Sequence, residues 1–469
     1  MPDLDFVFSP RSIAIVGASS NPDSRANQNF LQPLLDFGYP GRIYPVNPYI
    51  TEVMGLKAYA NMQDIPEPVD YVICGIPALL TPGLIQDCVA ARARVVNIYS
   101  AGFSETGEEE GIRLERELLR ISRQSGVRLI GPNCLGIHCP TAGMTLESSI
   151  PKESGSTSFL SQSGGNAREL ILSGAERGIF LNKLVSYGNA LDLNEADFLE
   201  YFARDEGTRI IAAYIEGIKQ PQRFVQALRE ASVAKPVIVL KGGKTEAGTG
   251  AVNSHTGSLS GSKETWDTLC RQTGAMQVHD LEEMVDAIMA FSCLKPPRGR
   301  RIGIVGIGGG ASVQAADDCE NAHLLVPALP PELRQELRRF NPPAGTGLRN
   351  PVDAAADVYW DPASFAKTAE MIARWDGVDV LCVMLSPTAT LRRGIETLRG
   401  QLEAVVEMGQ RIDKPLVLVL RTGSIAKAEN MARETEGQCL KAGFPVYRSC
   451  DRAAKAINYL ISYHERRIL

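Results

Sequence analysis

The feature that most restricts the fold is a short β-branched or apolar run ending in a small-residue turn, repeated along the chain. Near the start these runs are S-I-A-I-V (residues 12–16), R-I-Y-P-V-N-P (42–48), Y-V-I-C-G-I-P (71–77) and R-V-V-N-I-Y-S-A-G-F (94–103), with amphipathic stretches between them. Buried runs alternating with helical patterns argue for an α/β protein built on a parallel, doubly wound sheet. Such sheets bind ligands off the carboxyl ends of their strands. Those ends are Gly17, Ala18 and Ser19, then Val46, Asn47 and Pro48, then Ile76 and Pro77, then Ser100, Ala101 and Gly102. A dinucleotide would suit such a place. However, the first turn carries no full G-x-G-x-x-G, and no Asp or Glu closes the second run, where a ribose diol would be held.

At 469 residues the chain has room for about three domains. A polar, Pro/Gly/Ser-rich stretch at 140–156 reads as a linker, and K-P-P-R-G-R-R at 295–301 as a second boundary. The expected domains are therefore 1–145, 146–296 and 297–469. The second opens with S-T-S-F-L-S-Q-S-G-G-N-A-R-E-L (156–170), a strand that turns through Ser163, Gly164 and Gly165 into a helix. The free amides of a helix N-terminus make a ready anion site, and the same serine serves equally as an ordinary N-cap. Further strand ends follow at L-V-S-Y-G-N (184–189) and I-I-A-A-Y-I-E-G-I (210–218), the latter closed by Glu216. A carboxylate there is placed either to accept the Nδ1 proton of an imidazole or to cap the next helix. The third domain starts with I-G-I-V-G-I-G-G-G-A-S (302–312), whose glycines relieve a crowded corner or receive an anion.

The richest stretch is K-G-G-K-T-E-A-G-T-G-A-V-N-S-H-T-G-S-L-S-G-S-K (241–263), a Gly/Ser/Thr loop behind the strand-like P-V-I-V-L. Glycines let backbone amides approach a ligand, and Ser254, Thr256 and Ser258 add hydroxyl donors suited to phosphoryl oxygens, beside Gly257. His255, in the middle, is both nucleophilic and largely neutral near pH 7, which makes it a candidate phosphoryl acceptor. The alternative is a surface-loop histidine among flexible glycines. The other four histidines have no comparable setting. No histidine or cysteine pairs with it at ligand spacing, so no metal site is expected.

Composition narrows the partners. With 49 basic and 54 acidic residues the formal charge is −5, which favours neither nucleic acid nor an anionic membrane. Ten cysteines scatter without CxxC pairs, as expected of buried thiols in a reducing, cytoplasmic setting. Neither a signal-peptide pattern nor an apolar run of about 18 residues is present, so no membrane span is expected.

Taken together, S-H-T-G-x-L-x-G-S, V-G-A-S, V-N-P, S-A-G-F-x-E and G-P-N-C-L-G (131–136) resemble the NDP-forming acyl-CoA synthetases, in family order over nearly the whole chain. The resemblance implies an N-terminal Rossmann-like CoA-binding domain followed by two flavodoxin-like doubly wound domains. It implies that coenzyme A is lined by Gly17, Ala18, Ser19, Asn21, Val46, Asn47, Pro48, Ile76, Pro77, Ser100, Ala101, Gly102 and Asn133. His255 would carry the phosphoryl group, Glu216 would orient it, and Ser163, Gly164 and Gly165 would cradle phosphate with Ser254, Thr256 and Gly257.

Two positions depart from the pattern. Relatives carry a glycine near Ala26, where Arg25 either meets a phosphate or stays solvated. Arg168 stands where relatives acting on small neutral acids carry a small residue, and either reads a polar acyl chain or faces solvent. No Walker loop and no segment typical of an ATP-grasp domain is visible. The chain thus looks like an α subunit whose ATP or ADP and Mg2+ would sit on a separate ATP-grasp β subunit, in a homo- or hetero-oligomer acting on a small carboxylic acid or acyl-CoA. The rivals are a catalytically silent acyl-CoA sensor and a dinucleotide-dependent oxidoreductase.

Overall fold

The computed structural model describes residues 4–21, 24, 27–245, 247–248, 263–339, 341, 347–354 and 356–468. They form two compact units: Met1–Ala175 with Ile179–Met284, and Glu176–Gly178 with Val285–Leu469.

The first unit holds two sheets. In chain order the strands of the first are β1 (Ser12–Val16) and β2 (Arg42–Val46), then, after a small hairpin of β3 (Glu52–Val53) and β4 (Leu56–Lys57), β5 (Tyr71–Cys74), β6 (Val95–Ile98) and β7 (Arg128–Ile130). Every pairing in the order β2-β1-β5-β6-β7 is parallel. All residues of β1, β5 and β6 are buried, as covered parallel strands demand, which is why they read as continuous apolar runs. Because β2 and β5 leave β1 on opposite sides, the crevice at the carboxyl end of β1 is a topological switch point.

The second sheet comprises β8 (Gly136–His138), β9 (Thr157–Ser161), β10 (Leu181–Ser186), β11 (Ile210–Ile215), β12 (Val237–Lys241) and β13 (Met276–Val278), in the order β13-β12-β11-β9-β10-β8. Only β8 is antiparallel, pairing with β10 through Leu184↔His138. The polar stretch 140–156 therefore runs between two strands of one sheet rather than between sheets. A three-residue edge strand is recruited by backbone pairing and needs no hydrophobic alternation, so it left no pattern to read.

A continuous core spans both sheets of this unit, from Phe8 and Ile13 to Leu160, Phe198 and Phe202. Phe8, on the short helix Asp5–Phe8, is fully buried and stacks on Tyr201 at 4.9 Å. Burying one such ring contributes about 1.5–3 kcal/mol. Arg128 Nε donates to Asp192 Oδ2 at 2.8 Å, and Asn189 Nδ2 donates to Glu105 Oε2 at 2.6 Å and to Glu115 Oε1 at 2.8 Å, adding polar ties from β7 and its neighbours to the second sheet.

The second unit is a third sheet: β14 (Ile302–Gly306), β15 (Gly347–Leu348), β16 (Val352–Asp353), β17 (Val380–Leu385), β18 (Leu416–Leu420) and β19 (Val446–Tyr447), in the order β15-β16-β14-β17-β18-β19 with β15 antiparallel. It has its own core around Tyr359, Phe365, Leu381 and Val383. All ten cysteines are free, and all but Cys293 are buried. No helix among the described residues is long and apolar enough to cross a membrane.

Candidate active site

At the first switch point the strand ends are tied to one another. Gly17 has φ 100°, which strains any other residue, and a Cβ there would also crowd the Gly75 carbonyl oxygen at 3.2 Å. Asn47 Nδ2 donates to Ala18 O at 2.6 Å, locking the V-N-P exit of β2 onto the exit of β1. The loop through Ser19 and Asn21 is shaped by fully buried Asn27, whose Nδ2 donates to Ser19 O at 2.6 Å and Asn21 O at 2.9 Å. Sequence reasoning gave Asn27 no role. An asparagine inside a polar loop is its own weak signal, because Asn readily supplants backbone partners in turns. On the next strand ends, Ser100 Oγ donates to Ile76 O, and Asn133 N donates to Ser100 O at 3.0 Å from a φ of 58°. The Gly102 amide is already engaged, donating to Glu105 Oε1 at 2.6 Å.

The second sheet switches direction at β9, with β11 on one side and β10 on the other. The turn after β9 and the exit of β11 meet there. Gln162 N donates to Tyr214 O at 3.1 Å, while Gln162 Oε1 accepts from Glu216 N and, at 2.9 Å, from Gly217 N. Gln162 is thus the clamp between the cradle turn and the predicted orienting glutamate, a function its place in S-Q-S-G-G did not reveal. Ser163 Oγ accepts from Asn166 N at 3.2 Å, so Ser163 is an N-cap of the helix Gly164–Glu176. Glu216 is buried, and its backbone oxygen accepts from Lys241 Nζ at 2.8 Å.

Lys241 is the larger surprise. Its side chain is buried at the very end of β12, where it also donates to Gly242 O and lies 5.7 Å from the Trp266 ring centroid. Burial depresses its ammonium to about 8, against the pull of Glu216, so it remains charged at neutral pH. Nearby, Glu195 is 1% exposed, and neither carboxyl oxygen finds a partner from another residue among those described. Burial lifts its carboxyl to about 7. Tyr187, also buried, is pushed well above the phenol range by burial and then by Glu195 and Glu216. Tyr187 thus feels both carboxyls, of Glu195 and of Glu216.

One cavity of about 580 Å3 joins the two sheets' strand ends within this unit. From the first sheet it is lined by the predicted Ile76, Pro77, Ser100, Ala101 and Asn133, and from the second by the predicted Ser163, Gly164 and Gly165. Phe30, Tyr99, Leu135 and Gln162 line it as well and were not anticipated. Gly17, Ala18, Ser19, Asn21, Val46, Asn47, Pro48 and Gly102 belong to the strand ends but not to this lining. Arg168 is also absent from it. Its Nε donates to Glu147 Oε2 at 2.5 Å and its side chain is 53% exposed. His255, Ser254, Thr256 and Gly257, together with Arg25 and Ala26, lie outside the described residues.

Comparison with known proteins accounts for this arrangement. Residues 11–140 match the family model of a CoA binding domain, and residues 154–291 that of a succinyl-CoA ligase like flavodoxin domain. The chain is 34% identical over 460 residues to the acetate–CoA ligase [ADP-forming] II subunit alpha of Pyrococcus furiosus, covering 98% of this chain and 97% of that protein. It is 32% identical to the acetate–CoA ligase [ADP-forming] I of Archaeoglobus fulgidus, covering 98% of this chain and 64% of that longer protein. Among solved structures, the dinucleotide forming acetyl-coenzyme A synthetase 1 of Ca. Korarchaeum cryptofilum, in complex with phosphate and ADP, superposes with a TM-score of 0.85 at 30% identity, covering 100% of this chain and 98% of that one. A CoA-binding sheet and a ligase-type flavodoxin sheet that share one cavity, in a chain matched along its length by such relatives, mean that it belongs to the NDP-forming acyl-CoA synthetases, in their α-subunit form.

Proposed function

We propose that the chain converts acyl-CoA, phosphate and a nucleoside diphosphate into carboxylic acid, CoA and nucleoside triphosphate, reversibly, through an acyl phosphate and a phosphorylated His255. The observation that carries this reading is the shared cavity. Residues suited to the pantetheine end of CoA (Ile76, Pro77, Ser100, Asn133) face the same space as the amide-rich start of the helix Gly164–Glu176.

In this reading, Ser163, Gly164 and Gly165 hold phosphate at a helix N-terminus, where dipole and amides favour the anion. A phosphate oxygen attacks the thioester carbonyl, the C–S bond breaks, and CoA leaves as thiolate. His255 Nε2 then attacks phosphorus, the P–O bond to the acyl oxygen breaks, and the carboxylate departs. Glu216 accepts the Nδ1 proton and holds the ring so that Nε2 presents its lone pair. Lys241 ties the end of β12 to the Glu216 backbone and lies beside the Trp266 ring. Segment 1–145 supplies the CoA end, 146–296 the phosphohistidine module, and 297–469 a supporting domain.

The nucleotide, with Mg2+, would be bound on an ATP-grasp β subunit. This rests on the subunit naming of the Pyrococcus relative, and on the third of the Archaeoglobus protein that the chain does not cover. The test is a reconstitution with an ATP-grasp chain, acyl-CoA, phosphate, ADP and Mg2+. ATP should form only when all five accompany this chain. ATP formation without it, or none with any acyl-CoA, would overturn the reading.

A further inference from the structure

The second unit carries a cavity of its own, of about 610 Å3, which the ligase reading does not use. Its walls come from the segments that lead into β14, β17 and β18, three adjacent strands of the third sheet. It therefore lies at the amino ends of those strands, opposite the end that carries the Gly308 turn. The stretch K-P-P-R-G-R-R, which marks a boundary in the sequence, contributes Lys295, Pro296 and Arg298 to this lining.

Five cations line the cavity, Lys295, Arg298, Arg374, Arg411 and Lys414, against three carboxylates, Asp376, Asp379 and Asp413. The positive excess survives internal pairing. Asp379 is spent on Arg301, outside the lining, whose Nε donates to Oδ2 at 2.9 Å and Nη2 to Oδ1 at 2.8 Å. Arg374 and Arg411 share one carboxylate, Glu370, at 2.7 and 3.8 Å. Lys414 Nζ donates to a neutral oxygen, Trp375 O, at 2.5 Å. Burial lowers the pKa of Lys414, Asp376 and Asp379 pull it up, and Arg301 and Arg298 push it down. Among the described residues, neither Lys295 nor Arg298 is paired with a carboxylate.

The cations reach one space from three separate segments. A tetrahedral phosphate presents oxygens in three directions, whereas a planar carboxylate presents two in one plane, so a phosphate chain suits the arrangement better. No aromatic ring belongs to the lining, which leaves a nucleobase nothing to stack on.

We propose that this cavity is an oligophosphate site, which binds a di- or triphosphate group through Lys295, Arg298 and Lys414 and takes no account of any base attached to it. The group arrives free or as the tail of a nucleotide. The site shares no residue with the cavity of the first unit and is independent of the ligase reading.

The test is calorimetric titration of the full chain with inorganic triphosphate, ATP or citrate. Only binding that Lys295→Ala/Arg298→Ala weakens is assigned to this cavity, which separates it from the phosphate cradle of the first unit. The double variant should weaken triphosphate about tenfold, through loss of two charged partners. Asp413→Asn, which removes an opposing carboxylate, should tighten it about threefold, a gain that no folding defect produces. ATP should match triphosphate, and citrate should bind at least about tenfold more weakly. Absence of triphosphate binding, an affinity unchanged in the double variant, or citrate binding as well as triphosphate would overturn the proposal. ATP binding more than about tenfold tighter than triphosphate at this site would overturn its indifference to the base.

Discussion

The second and third sheets are two versions of one scaffold. Each has six strands, with a single antiparallel strand at one edge, and each places its first parallel strand, β9 or β14, beside the later β11 or β17. The turns even agree in length. Strand β9 ends at Ser161 and its helix starts at Gly164, while β14 ends at Gly306 and its helix starts at Gly309. What differs is the side chains at equivalent strand ends. Gln162 and Ser163 correspond to Ile307 and Gly308; Glu216, after β11, corresponds to Ser386, after β17; buried Lys241, closing β12, corresponds to buried Leu420, closing β18. In the third sheet the turn amide of Gly308 donates to Asp353 Oδ1 at 2.6 Å, so the chain's own carboxylate occupies the place of an anion. Topology supplies the crevice, and the polar residues at its strand ends decide whether that crevice does chemistry.

If that is right, paired substitutions should separate the two modules. Glu216→Gln should lower the rate of phosphorylation by about 10²–10⁴-fold, the range of a lost proton acceptor, while Ser386→Ala leaves it within twofold. Single-turnover rates for both variants check this, and equal losses would break the comparison.

The next largest effect lies behind the site. Glu195 is held protonated up to about 7 by burial, against an ordinary value of 4.5. Because the folded state keeps the proton more tightly, stability should be highest below 4.5, fall as pH rises to about 7, and stay low above. Glu195→Gln should remove that loss, gaining about 3 kcal/mol at pH 8 and little at pH 4.5. Denaturant midpoints at the two pH values test it, and an equal gain at both would contradict it.

A Cβ at Gly164 must displace Leu135 from the cavity wall, whereas one at Gly309 meets Asp353 Oδ2 at an ordinary 3.6 Å. Gly164→Ala should therefore cut kcat/KM about tenfold although its helix is strengthened by up to about 1 kcal/mol; Gly309→Ala should gain the stability alone. Smallest of all, Asp353→Asn should cost about 1 kcal/mol of stability, through loss of a charge-assisted bond, and leave activity unchanged. Phosphate binding gained by Asp353→Ala would show that the third sheet's turn is a masked anion site, sharpening the parallel further.

Much of this was legible in the sequence because it rests on local chemistry. S-I-A-I-V is a strand, β1, since a doubly covered strand must be apolar throughout, and Gly17 follows because its φ of 100° strains any other residue. The convergence of Ile76, Ser100 and Asn133 with Ser163 follows from the rule that ligands sit off strand ends. What stayed hidden depends on distant partners. Phe30 and Tyr99 become a wall only once β6 carries Tyr99 to the cavity. Glu195 reads as a helix-start acid facing water, the common use of that position, and its burial is a tertiary event. Lys241 looks like a loop residue, yet it closes a buried strand because two backbone oxygens, of Glu216 and Gly242, receive its ammonium.

The central claim is that the second sheet's polar crevice moves a phosphoryl group from an acyl phosphate to His255. Its most direct measurement is intact-mass spectrometry of the chain alone after incubation with an acyl-CoA and phosphate, with His255→Ala in parallel. The account predicts one acid-labile, base-stable phosphate on the wild type and none on the variant. A phosphate that survives in His255→Ala, or a wild type that takes up none from any acyl-CoA, would contradict it.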